Sequence, residues 1–183
     1  DGYGSAAYKQ IVPAGTVPAI IHGGLTLADS EAIAEYLDES FPTPPMMPAD
    51  VTARARAREL SRFHDTRLEP VLRSFFGQVA PSGRDATFIA ETGALLQARL
   101  DQLATIAAPA PLLTGKHLAI ADCGFVASFG ILDLLRELLD LEVVLPHPIA
   151  AYASALAAQG SVTEEDSRYR KALRDWARTK GAL

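Results

Sequence analysis

The chain has a single cysteine, no long hydrophobic run and no secretion signal at its start. One thiol, Cys123, excludes an intrachain disulfide and fits a reducing compartment, so we expect a cytoplasmic protein. The longest apolar stretch, 123–132, falls well short of the roughly 20 residues that a membrane span requires, so we predict no membrane partner. Residues 1–5 lack both the basic end and the apolar core of a signal peptide.

Positive charge, metal ligands and phosphate-binding loops are scarce as well. The 17 lysines and arginines are outnumbered by 22 acidic residues, and no basic patch stands out, so we predict no nucleic-acid partner. His22, His117 and His147 lack the mutual spacing of metal ligands, and one cysteine offers no cluster, so we predict no metal. The sequence contains no glycine-rich phosphate-binding motif. Its one pair of adjacent glycines, Gly23-Gly24, is typical of a tight turn.

Proline is concentrated in one place and divides the chain. Residues 42–48 read PTPPMMP, which is typical of a stiff linker because proline continues neither a helix nor a central strand. We therefore predict three parts: a first domain over 1–41, a linker over 42–48 and a second domain over 49–183.

The first domain has the pattern of a strand, a tight turn, a strand and a helix. Short apolar runs at 17–22 and 25–28 flank Gly23-Gly24, and glycine supplies the positive φ that a two-residue hairpin turn requires. Helical spacing follows over 30–40, whereas the segment before the strands, with Tyr3, Ser5 and Tyr8, has the pattern of a loop. Two strands and one helix do not close a core, and the chain does not start with methionine. We therefore expect residues upstream of Asp1, or a partner, to complete the sheet.

The second domain has helical periodicity throughout. We predict helices over 51–79, with a bend at Pro70, and then over 85–107, 120–138, 148–158 and 164–180. Because the segment 120–138 is apolar nearly all round, we predict a buried helix and an inert, buried thiol at Cys123.

Two dipeptides in the first domain carry the chemistry. A cis bond at Val17-Pro18 would turn the backbone of Val17 outward, toward a peptide-like ligand; the alternative is a simple edge-strand proline. Asp29-Ser30 opens a helix, where free amides and the dipole attract a carboxylate and where Asp29 could receive an ammonium group. The alternative for this pair is plain helix capping.

Together these segments carry a family resemblance. Residues 13–20 and 27–37, followed by the proline-rich linker and the helical remainder, closely resemble the glutathione transferase superfamily. Residues 118–122 resemble that family's capping box, although Ala119 stands where serine or threonine is usual. The resemblance implies an α+β, mostly α architecture: a partial thioredoxin-like domain (hairpin plus helix) that binds glutathione, then an all-α domain.

The resemblance also implies roles for particular residues. The backbone of Val17, before a cis Pro18, pairs with the cysteinyl part of glutathione, while Asp29 and Ser30 hold its γ-glutamyl end. The family's catalytic serine, tyrosine or cysteine is expected upstream of residue 1, so the catalytic residue of this protein is unknown.

The helical domain is expected to supply the electrophile pocket, and we predict that Phe63, His64 and Arg67 line part of it. The alternative is that residues 64–67 form a solvated polar face. A homodimer interface is expected beside the ligand.

The function implied is a detoxifying glutathione transferase, with glutathione as co-substrate and a small electrophile as the second substrate. One alternative keeps the fold and uses glutathione in isomerisation, ether cleavage or thiol reduction. The other is a non-catalytic binding or regulatory protein.

Overall fold

A computed structural model describes residues 2–183, which form two compact units. The first unit extends to Met47 and the second runs from Pro48 to Leu183, so the boundary falls at the end of the proline-rich segment. The chain combines a two-stranded antiparallel hairpin and its helices with an all-helical region, which is the thioredoxin-like and helical architecture predicted from the sequence.

The first unit is a hairpin packed on a helix. Its elements are α1 (Ala6–Ile11), β1 (Ala19–His22), β2 (Leu25–Ala28) and α2 (Ser30–Ser40). The prediction of a loop before the strands is wrong in part, because Ser5 caps a short helix by accepting a hydrogen bond from the Tyr8 amide at 3.2 Å. A side-chain cap satisfies an amide that the first turn of a helix otherwise leaves unpaired.

The hairpin turn forms where the glycine pair predicts it. Gly23 and Gly24 have φ values of 56° and 84°, and a turn with positive φ at both central residues matches the right-handed twist of the two strands. The turn fixes the register that pairs His22 with Leu25 and Ala19 with Ala28. His22 Nδ1 lies 2.7 Å from the Tyr36 hydroxyl, which ties the turn end of β1 to α2.

The second unit consists of six α-helices joined by shorter turns. The helices are α3 (Val51–Phe63), α4 (Glu69–Ser74), α5 (Ala86–Ile106), α6 (Ile120–Leu139), α7 (His147–Ala157) and α8 (Gly160–Thr179). The last helix begins four residues before the predicted start at residue 164. Within residues 2–183, no helix combines the length and apolarity needed to cross a bilayer.

The predicted interruption near Pro70 takes a specific form. Residues His64–Leu68 adopt a π-helical turn, and α4 begins directly after it with Pro70 in its first turn. Proline has no amide to donate, and its ring collides with the carbonyl of the preceding turn in a regular α-helix. The wider π turn therefore lies directly before the position where regular α-helical bonding fails.

The centre of the second unit is α6, and a buried carboxylate lies at its start. Asp122 is fully buried, and its oxygens accept hydrogen bonds from the Ala119 amide at 2.9 Å, the Leu113 amide at 3.1 Å and the Tyr152 hydroxyl at 3.0 Å. Ala119 has no side-chain acceptor, so only the half of the capping box in which Asp122 accepts from the Ala119 amide forms. Burial raises the pKa of Asp122 above its ordinary value, although the three hydrogen bonds act in the opposite direction.

The prediction of a buried Cys123 is wrong, because its side chain is exposed. The other exposed residues of α6 are Asp133 and Glu137, toward its far end. The residues around Cys123 are small and apolar, so the sequence gives no sign that this position is exposed.

Candidate functional site

The candidate site lies at the open end of the hairpin, opposite the glycine turn. Extending the register outward from Ala19 and Ala28 brings the segment at Val17 beside the segment at Ser30. Two residue pairs that are separate in the sequence, Val17-Pro18 and Asp29-Ser30, therefore share one end of one small sheet.

The backbone of Val17 is available for pairing. The Val17-Pro18 peptide bond is cis, and Val17 as a whole residue is 59% exposed. Among residues 2–183, neither the amide nor the carbonyl of Val17 makes a backbone hydrogen bond. The residue before it is held in place, because the Tyr8 hydroxyl donates to the Thr16 carbonyl at 2.7 Å. This segment can accept an extended peptide as an additional strand.

Asp29 caps α2 and retains an open carboxylate oxygen. Its Oδ1 accepts from the amides of Glu31 at 3.1 Å and Ala32 at 3.0 Å. Its Oδ2 has no protein partner within the described part of the chain. The backbone of Asp29 has φ 90° and ψ 121°, a conformation that costs a residue other than glycine about 1–3 kcal/mol. Asp29 thus caps α2 through Oδ1, while Oδ2 is available to bind a cation.

Ser30 offers two donors at the start of α2. Its side chain is exposed, and its hydroxyl and amide have no acceptor among the described residues. The other amides of the first turn are occupied by Asp29, since Ile33 donates to the Asp29 carbonyl at 3.0 Å. Unpaired donors at the positive end of a helix dipole form a site for a carboxylate. With Asp29 beside them, they match a zwitterionic amino-acid group.

The predicted pocket residues of the second unit have two different environments. Phe63 and His64 are buried, whereas Arg67 is exposed. The alternative that residues 64–67 form a solvated face is wrong for His64, which is 6% exposed. Their contact with an electrophile stays a prediction, and Arg67 is the member that faces solvent.

His64, the first residue of the π turn, contacts α6, a feature that the sequence analysis missed. Its Nε2 lies 2.8 Å from the Ser128 hydroxyl, its Nδ1 lies 2.8 Å from the Asp65 carboxylate, and its ring packs on Phe125 at 4.8 Å. A Cβ at Gly124 would lie 2.5 Å from the imidazole, so any larger residue there requires the ring or the helix to shift. Gly124 within an apolar helix was the available signal, since such a glycine often marks a close approach.

No described group of three or more histidine, cysteine, aspartate or glutamate side chains is arranged to hold a metal ion. The chemistry at the hairpin end instead comes from backbone amides, one hydroxyl and one carboxylate. The fold and this site define a class: a thioredoxin-like unit with a cis proline before a strand, followed by an all-helical unit.

Comparison with known proteins agrees with that class. Residues 2–45 match the family model described as the glutathione S-transferase N-terminal domain. Glutathione S-transferase T3 of Arabidopsis thaliana is 33% identical over 153 residues, covering 78% of this chain and 26% of the relative. Glutathione S-transferase Z1 of the same plant is 50% identical over 48 residues, covering 26% of this chain and 22% of the relative. These matches thus span about a quarter of the length of the curated relatives.

Among solved structures, the holo form of a maleyl pyruvate isomerase, a bacterial Zeta-class glutathione S-transferase, superposes with a TM-score of 0.68. It is 25% identical, and the match covers 88% of this chain and 78% of that one. The chain belongs to the glutathione transferase superfamily.

Proposed function

We propose that the protein binds glutathione at the open end of the hairpin and transfers the glutathione thiolate to a small electrophile. The observation that carries this proposal is the convergence of an unpaired Val17 backbone with the carboxylate of Asp29 and the open donors of Ser30. Strand-like pairing suits the cysteinyl part of the tripeptide, and a helix start bearing an adjacent carboxylate suits its γ-glutamyl end.

In this proposal the reaction is a substitution at sulfur. The thiolate is the nucleophile, so the enzyme must stabilise the ionised thiol. The sulfur forms a bond to the electrophilic carbon, the leaving group departs with its electron pair, and the thiol proton passes to solvent. Residues Val17, Asp29 and Ser30 bind and orient the tripeptide, and the group that stabilises the thiolate is not assigned to a residue of this chain.

Asp29→Asn separates ligand binding from helix capping. Asparagine caps helices as well as aspartate and tolerates positive φ, so α2 should persist while the charge for the ammonium group is lost. We expect glutathione affinity, measured by isothermal titration calorimetry, to fall about tenfold, which corresponds to about 1.4 kcal/mol. Ser30→Ala should lower affinity by a similar factor.

Ser40→Ala is the matched control, because Ser40 is the last residue of the same helix. It should leave affinity unchanged. Unaltered binding in both Asp29→Asn and Ser30→Ala would show that this pair serves the helix alone.

A second candidate reaction is glutathione-dependent isomerisation of an anionic substrate. It is supported by the 25% identity to the maleyl pyruvate isomerase and by arginines along α3 and the π turn. These residues are Arg54, Arg58, Arg62 and Arg67. Parallel assays with chlorodinitrobenzene and with maleylpyruvate discriminate between the two reactions, and turnover of neither favours a non-catalytic binding protein.

We also propose a cytoplasmic homodimer. It is supported by Glu39 on α2 and Arg62 on α3, which are exposed and of opposite charge and so suit ion pairs between copies. Sedimentation equilibrium should show a dimer that weakens with added salt, whereas a monomer at all protein concentrations would contradict this part of the proposal.

A further inference from the structure

A cleft in the second unit is lined by none of the residues assigned above. It has a volume of about 590 Å³, within the range of small-molecule sites, and it runs between the first half of α5 and the segment 139–143. One wall is formed by small residues of α5, including Ala90 and Gly93, and the other by the side chains of Leu141 and Val143. Both walls are therefore largely apolar.

The second wall is held in place from two directions. Gln97 on α5 binds both backbone groups of Val144, accepting from its amide at 2.8 Å and donating to its carbonyl at 3.0 Å. Arg136 on α6 donates twice to the Val143 carbonyl, at 2.8 and 2.6 Å. A wall fixed in this way keeps the cleft open without a ligand, which lowers the ordering cost of binding.

The charged residues that line the cleft are both acidic, while Arg136 reaches the Val143 carbonyl beside it. Asp140 and Glu142 line it and are exposed, and neither has an ion-pair partner among residues 2–183. No lysine or arginine belongs to its lining. Two carboxylates beside an apolar trough complement a molecule with an apolar body and one positive charge, and they repel an anion of the same shape.

We propose that this cleft is a second binding site, which takes a cationic amphiphile such as an alkylammonium compound. The apolar body lies against Ala90, Gly93 and Leu141, and the ammonium group lies at Asp140 and Glu142. None of its lining residues belongs to the first unit, which carries the proposed glutathione site.

The test uses decyltrimethylammonium below its micelle concentration and decyl sulfate as the anion with the same chain. Calorimetry should show that the cation binds at least tenfold more tightly than the anion. Chemical shifts of the full chain should change at residues 86–97 and 139–143. Equal affinity for the two probes, or shifts confined to other residues, would overturn the proposal.

Two variants test the steric and electrostatic parts separately. A Cβ at Gly93 would meet Leu141 and Val143 in ordinary contact, at 3.9 and 4.0 Å, so Gly93→Leu directs its larger side chain toward that wall of the cleft. Leucine is also favoured over glycine within a helix, so the variant should fold. It should abolish binding of the cation, whereas Ala98→Leu, at an exposed position of the same helix, should leave binding unchanged.

The double variant Asp140→Asn, Glu142→Gln should reduce affinity for the cation about tenfold, as expected for two exposed charge pairs. Asparagine suits position 140, where φ is 52°. Glu91→Gln on the exposed face of α5 serves as the charge control. Undiminished binding in Gly93→Leu, or equal losses in a variant and its control, would refute the assignment.

Discussion

Replacing Gly124 with alanine tests whether the close approach of His64 to α6 is required. The added Cβ would lie 2.5 Å from Cε1 and 2.6 Å from Nδ1 of His64, well inside van der Waals contact. The imidazole cannot easily move, because it is buried and bonded through both nitrogens, to Asp65 and to Ser128. The substitution therefore forces either the ring or α6 to shift.

The expected loss follows from three contributions. Overpacking a core typically costs about 1–3 kcal/mol. Losing the His64–Ser128 hydrogen bond adds about 1 kcal/mol. Alanine is favoured over glycine within a helix by about 1 kcal/mol, which offsets part of the loss. We therefore expect Gly124→Ala to lower the free energy of unfolding of the second unit by about 1–3 kcal/mol.

Gly130→Ala is the matched control on the same helix. A Cβ there would lie 3.5 Å from the Tyr169 ring, an ordinary contact, so only the helix preference should act. We expect this variant to be as stable as the parent or more stable by up to about 1 kcal/mol. Gly124→Ala and Gly130→Ala therefore make the same chemical change, but their effects on the free energy of unfolding should be opposite in sign.

Urea unfolding followed by tryptophan fluorescence provides the assay. The single tryptophan, Trp176, lies in α8 and packs on Phe76 with ring centroids 5.0 Å apart, so it reports on the second unit. Adding His64→Ala to Gly124→Ala should relieve the clash, and the double-mutant cycle should show coupling between the two positions. A Gly124→Ala protein at least as stable as the parent would refute this reasoning.

Three further predictions concern other groups. Asp122→Asn should cost about 1–3 kcal/mol, because one of the buried donors then faces an amide nitrogen. Burial raises the pKa of Asp122 in the folded state above its ordinary value of 3.8. The stability of the parent relative to Asp122→Asn should therefore be greatest below pH 3.8 and should decrease as the pH rises through the raised pKa. Urea unfolding of both proteins at a series of pH values measures this difference. The exposed Cys123 should react with a disulfide reagent in the native protein; labelling only after unfolding would contradict its exposure. The Arg174 hydrogen bond lowers the pKa of Glu137, so Arg174→Gln should raise the NMR titration midpoint of that carboxyl.

Local interactions account for the features that the sequence predicted well. The glycine pair sets the hairpin turn, Asp29 caps α2, and Pro70 interrupts the long helix, because each effect acts within about one turn of the chain. The residues proposed to bind glutathione come together through the same local geometry: they lie just outside two paired strands, so the hairpin register alone brings them to one end.

Tertiary packing determined what the sequence did not show. His64 and Ser128 are 64 residues apart, and Asp122 and Tyr152 are 30 apart, so no local periodicity links either pair. Cys123 was predicted to be buried because a run of apolar residues does not show which side of a helix the neighbouring helices leave uncovered. The sequence alone thus determined the local turns, caps and helix breaks, while the packing of distant helices decided which polar groups are buried together and which thiol meets solvent.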